Sequence, residues 1–274
     1  EPAQWQDRES LIDLPICTID GADAKDFDDA VSLEDLGGGL LRLGVHIADV
    51  AHYVKSGTAL DAEAYARATS VYLPDRVVPM LPPALSDNLC SLVPRQERLT
   101  MSVFMEINST GKVVKRRLAQ TVIRSWRRFT YEEIQTLLEG GKVPDVHKSI
   151  GEAVGRMGLL TDVLYKRRVA RGALDFNLPE YRINADPHGR PLGVSLRPRL
   201  KSHRLIEEFM LLANEAVATE LYAAKRPFLH RRHDNPDPLK LKNLSVALGE
   251  LGLTAGHIEG SNAAKGLQDV LRQA

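Results

Sequence analysis

The sequence is poor in several features that would mark particular protein classes. Only two of its 274 residues are cysteines, Cys17 and Cys90, and they are not spaced as a CxxC pair. A disulfide framework, a zinc knuckle and a CxxC redox centre are therefore excluded, and both thiols read as reduced, small and buried. No run of about 18 consecutive apolar residues occurs, so there is no candidate membrane helix. The first residues, Glu1 to Arg8, show neither the basic nor the apolar region of a secretory leader, and the expected location is the cytoplasm with no membrane partner. Repeats, low-complexity tracts and Ser/Gly linkers are missing as well, which favours one compact unit. Aromatic residues make up only 5%, against 43% hydrophobic and 26% charged residues, a globular composition.

Charge is balanced in sum and uneven in distribution. Residues 1–50 contain 12 acids and 3 bases, whereas residues 111–274 contain 18 acids and 28 bases. A carboxylate cluster needs a cation and a phosphate chain needs Lys and Arg, so an acidic head joined to a basic body suits a metal centre beside a polyanion-binding surface. Chance clustering on solvated faces would give the same counts.

Strand signals dominate the first half and helix signals the second. Leu14 to Ile19 reads as a short buried strand that delivers Asp20 at its end. Hairpins are predicted around Gly37-Gly38-Gly39, around Asn108 to Gly111, and around Asp186-Pro187-His188-Gly189. Helical periodicity predicts helices over 59–68, 130–139, 150–171, 205–224, 238–251 and 263–272, the second opened by a cap region at Thr130, Glu132 and Glu133. This order argues for an α+β fold with an antiparallel sheet rather than repeated βαβ units.

The most informative stretch runs from Thr18 to Ala30 and holds Asp20, Asp23, Asp26, Asp28 and Asp29 directly after the apolar strand. Carboxylates at this density must splay into water or share a cation, and hard oxygen ligands select Mg²⁺, Mn²⁺ or Ca²⁺ over zinc. An EF-hand is excluded by register: counting from Asp20, the third and fifth loop positions are Ala22 and Ala24, and counting from Asp26 the twelfth is Gly37. A Mg²⁺-type site using Asp20, Asp26, Asp28 and Asp29 is what remains. It suits phosphoryl transfer to water. The bland alternative is a solvated acidic turn capped by its own side chains.

This stretch resembles the signature of the ribonuclease II and ribonuclease R family, whose members share the RNB catalytic domain. His46-Ile47-Ala48-Asp49-Val50, Thr69 to Pro74, Val78 to Pro82, Leu89 to Leu92, Arg171 to Phe176 and Leu205 to Asn214 resemble further family segments, in the family's order. The glycine-rich hairpin and Arg171-Gly172-Ala173-Leu174-Asp175-Phe176 make the ribonuclease R branch the closer one. The resemblance implies an RNB-type α+β catalytic domain over 13–274 after a lead-in over 1–12, with the antiparallel sheet packed by the later helices. It implies processive, Mg²⁺-dependent 3′–5′ hydrolysis of single-stranded RNA, Mn²⁺ being a possible substitute, with DNA a poor substrate. By the same resemblance Asp20, Asp26, Asp28 and Asp29 arrange metal, phosphate and water, Asp28 being the most critical. Tyr72 and Phe176 match aromatics that clamp the terminal bases, and Tyr131 and Glu207 match residues that hold the last nucleotide and its ribose. Taken alone, Tyr72 could be a half-buried strand residue, Phe176 a core anchor, Tyr131 a first-turn helix residue, and Glu207 a partner of Arg204 on one helix face. Stacking serves an enzyme that must accept every base, and a 2′-hydroxyl contact would favour RNA. Basic clusters over 124–128, 197–204 and 226–232 are expected along the phosphate path.

The family domain continues through a paired Arg and a Tyr that this sequence lacks, Arg231-Arg232 being followed by His233, and family members also carry small RNA-binding barrels. The chain therefore resembles a C-terminally incomplete RNB domain, and a weakly active or inactive RNA-binding remnant is the alternative expectation.

Overall fold

The computed structural model describes residue 5 and residues 7–73, 76–176, 178–186, 188–232, 234–253 and 263–273. Pro74, Pro187 and His233 lie outside the described residues. Strands β1 (Glu9–Leu11), β2 (Cys17–Asp20), β3 (Asp29–Gly37), β4 (Leu40–Ala48), β7 (Glu97–Ile107), β8 (Val113–Arg124) and β9 (Arg127–Thr130) form one sheet in the order β1-β8-β7-β4-β3-β2-β9. Its middle is antiparallel, as expected, but both margins are parallel: β1 runs along β8 and β2 along β9. Neither margin is joined by a hairpin: residues 12–16 lead from β1 to β2, and Ser125 and Trp126 alone lead from β8 to β9, each link carrying the chain from one side of the sheet order to the other. The sheet thus already begins inside the segment expected as a lead-in. Two short strand pairs stand apart, β5 (Val71–Tyr72) with β6 (Val77–Val78), and β10 (Glu180–Ala185) with β11 (Pro191–Arg197).

Each predicted hairpin and helix forms, with ends shifted by a few residues. The β3–β4 turn places Gly37, Gly38 and Gly39 at φ values of 81°, 61° and 78°, a left-handed run that other residues adopt at a penalty. Helices are α1 (Val50–Tyr53), α2 (Ala59–Arg67), α3 (Tyr131–Leu138), α4 (Lys148–Ala170), α5 (Lys201–Ala223), α6 (Pro238–Glu250) and α7 (Ala263–Leu271), with a single π turn at Leu85–Leu89. α3 opens with a full capping box: Glu133 N–H donates to Thr130 Oγ1 at 3.2 Å and Thr130 N–H to Glu133 Oε2 at 2.8 Å. No described helix is long and apolar enough to cross a membrane.

Alternation decides which sheet face meets the helices. Val31, Leu33, Leu43, Val45, Val103, Met105 and Ile107 point to one side and form the main core with Ile134, Val154, Met157, Leu205 and Phe209 from α3, α4 and α5. The opposite face carries a buried polar chain across four strands. His46 Nε2 meets Ser32 Oγ at 3.0 Å, His46 Nδ1 meets Ser102 Oγ at 2.7 Å, and Thr121 Oγ1 joins Ser102 and Thr100 at 2.6 Å each. Burial lowers the His46 pKa to about 3, so the ring is neutral. Gly44 lies under this ring: a Cβ there would meet Ser32 Oγ and lie 2.8 Å from His46 Nε2. Cys17 and Cys90 are free and buried.

Candidate active site

Four carboxylates come together where β2 and β3 meet. Asp20 is the last residue of β2, Asp29 the first of β3, and Asp26 and Asp28 lie in the loop between them. The loop is tied from three sides. Ala48 N–H from β4 donates to Asp28 O at 2.9 Å, and Leu92 N–H donates to Phe27 O at 2.8 Å. Ser91 Oγ accepts from Phe27 N–H at 3.1 Å and donates to Lys25 O at 2.8 Å. Arg128 from β9 donates to Gly21 O at 2.7 Å and Ala22 O at 2.8 Å, its guanidinium 5.1 Å from the Phe27 ring centroid. The sequence signalled Arg128 only as one member of a basic cluster; the structure makes it a brace of the acidic loop.

Crowding and partial burial disfavour the charged forms. Burial first, then the Asp29 charge, pushes the Asp20 carboxyl up to about 7, with the Thr18 hydroxyl and then Arg128 opposing. Burial and the Asp28 charge push Asp29 up to about 6. Asp28 is the most solvent-open of the four, yet its carboxyl is also raised, by partial desolvation and then by Asp26. Asp20 Oδ2 is buried without a hydrogen-bond partner. An orphaned acceptor on a carboxyl raised in this way is satisfied by a proton or a cation. Among the described residues, however, no three His, Cys, Asp or Glu side chains converge closely enough to hold a metal ion as they stand.

The expected partners divide into two groups. β9 runs parallel to β2 with Thr130 opposite Asp20, so Tyr131, the first residue of α3, stands beside the carboxylates. Burial raises the Tyr131 pKa first, followed by the charges of Asp20 and Asp29. Tyr72 is 67% exposed, too open for a half-buried strand residue, and its hydroxyl donates to Asp26 Oδ2 at 3.1 Å. Asp26, Tyr72 and Tyr131 line one cavity of ≈ 690 Å³, together with Arg182 and Arg197 of the β10–β11 hairpin and His203 of α5. An Arg182–Asp23 ion pair at 2.6 Å clasps this hairpin to the acidic loop. A second cavity of ≈ 260 Å³ is lined by Asp26, Asp28, Tyr72 and Cys90.

Phe176 and Glu207 do not line that larger cavity. Phe176 is 53% exposed, so it is no core anchor, and its neighbour Asp175 accepts from Tyr165 Oη at 2.6 Å and pairs with Arg199 at 2.6 Å. Glu207 pairs with Arg168 at 3.1 Å rather than with Arg204, while the buried Glu208 pairs with the same Arg168 at 2.7 Å. Several bases expected along the phosphate path are engaged within the chain: Arg127 with Glu133, Arg204 with Asp175 and Arg232 with Asp234.

The RNB domain family model matches residues 8–273. The chain belongs to the RNB family. This RNB chain is 46% identical over 246 residues to a ribonuclease R of Thermotoga maritima, a match covering 88% of this chain and 35% of that protein. Among solved structures it superposes on a Mycoplasma genitalium RNase R in complex with ribose methylated single-stranded RNA with a TM-score of 0.91 and 32% identity, over 96% of this chain and 42% of that one. The same protein in complex with double-stranded RNA gives a TM-score of 0.93 at 31% identity, over 100% of this chain and 48% of that one. The ribonuclease R relationship, the RNB fold and an exoribonuclease family thus stand. This RNB chain spans between 30% and 43% of the length of such curated relatives.

Proposed function

We propose that this chain is the catalytic region of a cytoplasmic 3′–5′ exoribonuclease that hydrolyses single-stranded RNA processively to nucleoside 5′-monophosphates with Mg²⁺ or Mn²⁺. The observation that carries the reading is the placement of Asp20, Asp26, Asp28 and Asp29 at and between the facing ends of β2 and β3, the carboxyls of Asp20, Asp28 and Asp29 raised, beside a cavity bearing Tyr72 and Tyr131. Family membership and the RNA held by related structures support RNA as the substrate.

The four aspartates suit a hard cation by donor type and by the unpaired Asp20 oxygen, and they would hold it once drawn closer together than they stand. When bound, the ion supplies neutralisation of phosphate charge and a lowered pKa for water. The remaining work falls to the chain. Asp28, the most solvent-open carboxylate, is assigned the largest share of turnover. Tyr72 offers an exposed ring for stacking, and the Tyr131 hydroxyl, without a partner among the described residues, offers a donor next to Asp20. Phe176 is assigned as the second stacking aromatic. Glu207 is assigned as the ribose contact, a role that requires release from Arg168.

The test is incubation of this chain with a 5′-labelled single-stranded RNA, with Mg²⁺ and separately with EDTA. A metal-dependent ladder that shortens from the 3′ end, missing for the matching DNA, is expected. RNA that stays intact in Mg²⁺ would overturn the reading for this chain. The failure of three carboxylates to converge favours a second reading, an RNA-binding region without turnover. That reading predicts salt-sensitive binding with no mononucleotide release.

A further inference from the structure

His203 lies inside the basic stretch over 197–204 without being singled out there, and its surroundings in the fold single it out. It is the third residue of α5, and its Nδ1 accepts the Leu200 backbone N–H at 3.1 Å. This is the place in a capping box usually taken by Glu or Gln. An imidazole nitrogen that accepts from an amide carries no proton, so the ring is neutral and its hydrogen sits on Nε2. Burial and the Arg197 charge hold the ring's pKa below the ordinary histidine value, while Glu132 and Glu180 oppose them.

The other side of the ring is free. Among the described residues Nε2 has no hydrogen-bond partner, and His203 lines the same cavity as Asp26, Tyr72 and Tyr131. The ring lies against Tyr131, with centroids 4.2 Å apart and planes inclined by 38°. Cap bond and ring contact together fix which way the Nε2–H faces. Arg197 lines the same cavity and, among the described residues, pairs only with Glu180, at 3.9 Å. Two donors without a close acceptor among the described residues, in one cavity, mark a place where a phosphate oxygen would be gripped.

We propose that His203 is a nucleotide-binding residue whose fixed Nε2–H donates to a phosphate oxygen of the nucleic acid strand in this cavity, while Tyr131 holds the ring from behind. The assignment rests on the exoribonuclease reading for its substrate but on the cavity alone for its geometry.

Two substitutions separate binding from capping. His203→Asn keeps an acceptor where Nδ1 stands and removes the Nε2–H; His203→Lys carries donors only, so it still grips an anion but loses the cap. The measurement is equilibrium binding of a fluorescein-labelled single-stranded RNA, and of the matching DNA, to the whole chain in EDTA, with thermal melting of each variant and KM and kcat in Mg²⁺. Loss of a hydrogen bond to a charged oxygen is expected to weaken binding of both strands about tenfold in the Asn variant and to raise KM alike, with kcat within about threefold. The Lys variant should bind at least as tightly as the parent while melting lower. The reverse ranking, Asn unaffected and Lys impaired, would show that His203 is only a helix cap and overturn the proposal. A loss confined to RNA would overturn the phosphate assignment in favour of a ribose contact. If the parent chain binds RNA but never shortens it, the exoribonuclease reading falls while the binding comparison still decides the role of His203. A parent chain that binds neither strand would end both.

Discussion

Replacing Asp20 by Asn should make the metal-free protein more stable and the enzyme worse. The Asp20 carboxyl, 3.8 in its ordinary setting, stands at about 7 here because it is partly buried and faces Asp29. Such a displacement corresponds to about 4 kcal/mol of unfavourable ionisation once the pH exceeds both values. Asp20 and Asp29 share the same repulsion, and part of the site is open to solvent, so about 1–3 kcal/mol is the expected gain for a single neutral replacement. A folded-state pKa raised above the unfolded one contributes stability that is complete below about pH 4 and is lost as the pH rises towards 7. The Asn variant therefore melts roughly 2–8 °C above the parent at pH 8 in EDTA and level with it at pH 4. Adding Mg²⁺ at pH 8 should narrow the gap, because only the parent regains a full ligand set. The assay is thermal unfolding by circular dichroism at pH 4, 6 and 8, with and without the ion. A variant less stable than the parent at pH 8 in EDTA, or a gain that does not change with pH, would refute the reasoning.

Three other substitutions probe the frame and the cavity. Gly44→Ala forces a methyl group into Ser32 Oγ and the His46 ring, and about 1–3 kcal/mol of destabilisation is expected in urea unfolding. Arg128→Met keeps a stem over Phe27 but removes both bonds to the Gly21 and Ala22 carbonyls, so kcat should fall roughly tenfold with RNA affinity little changed; an unchanged kcat would mean the loop needs no brace. Tyr72→Ala should weaken binding of single-stranded RNA by about 1–3 kcal/mol irrespective of sequence, read by fluorescence anisotropy, and equal affinity would remove the ring from the binding path.

Much of this was legible in the sequence because it is local. The β3–β4 turn announces itself through three glycines, α3 through Thr130 and Glu133, and the acidic loop through five aspartates after an apolar strand. What was not legible depends on distant pairing. β1 is three residues without alternation, and β9, Arg127 to Thr130, reads as a basic cluster until it lies along β2. Once there, it delivers both Arg128 to the loop carbonyls and Tyr131 to the carboxylates. Arg168 likewise gives no sign in sequence that it will hold Glu207 and Glu208 from the neighbouring helix. His203 sits in the basic stretch over 197–204, where nothing in sequence sets it apart from the arginines around it, and only the cavity shows that its second nitrogen lacks a partner among the described residues.

Carboxylates that repel one another stay together only if something else fixes their backbone. Here that work is done outside the cluster: by the Ala48 bond to Asp28 O, the Leu92 bond to Phe27 O, the Arg128 bonds to the loop, and the burial of Phe27 at 7% exposure. Behind them, the neutral His46 and its Ser32, Ser102 and Thr121 neighbours tie β3 and β4 to β7 and β8 across the face opposite the helices. None of these bonds involves the carboxyl oxygens of Asp20, Asp28 or Asp29. Removing a charge from the cluster therefore relieves repulsion without loosening the frame, whereas removing a frame contact leaves the repulsion in place and lets the loop move. Neutral replacements at the aspartates should separate activity from stability in opposite directions, and replacements at Gly44 should lower stability and activity together.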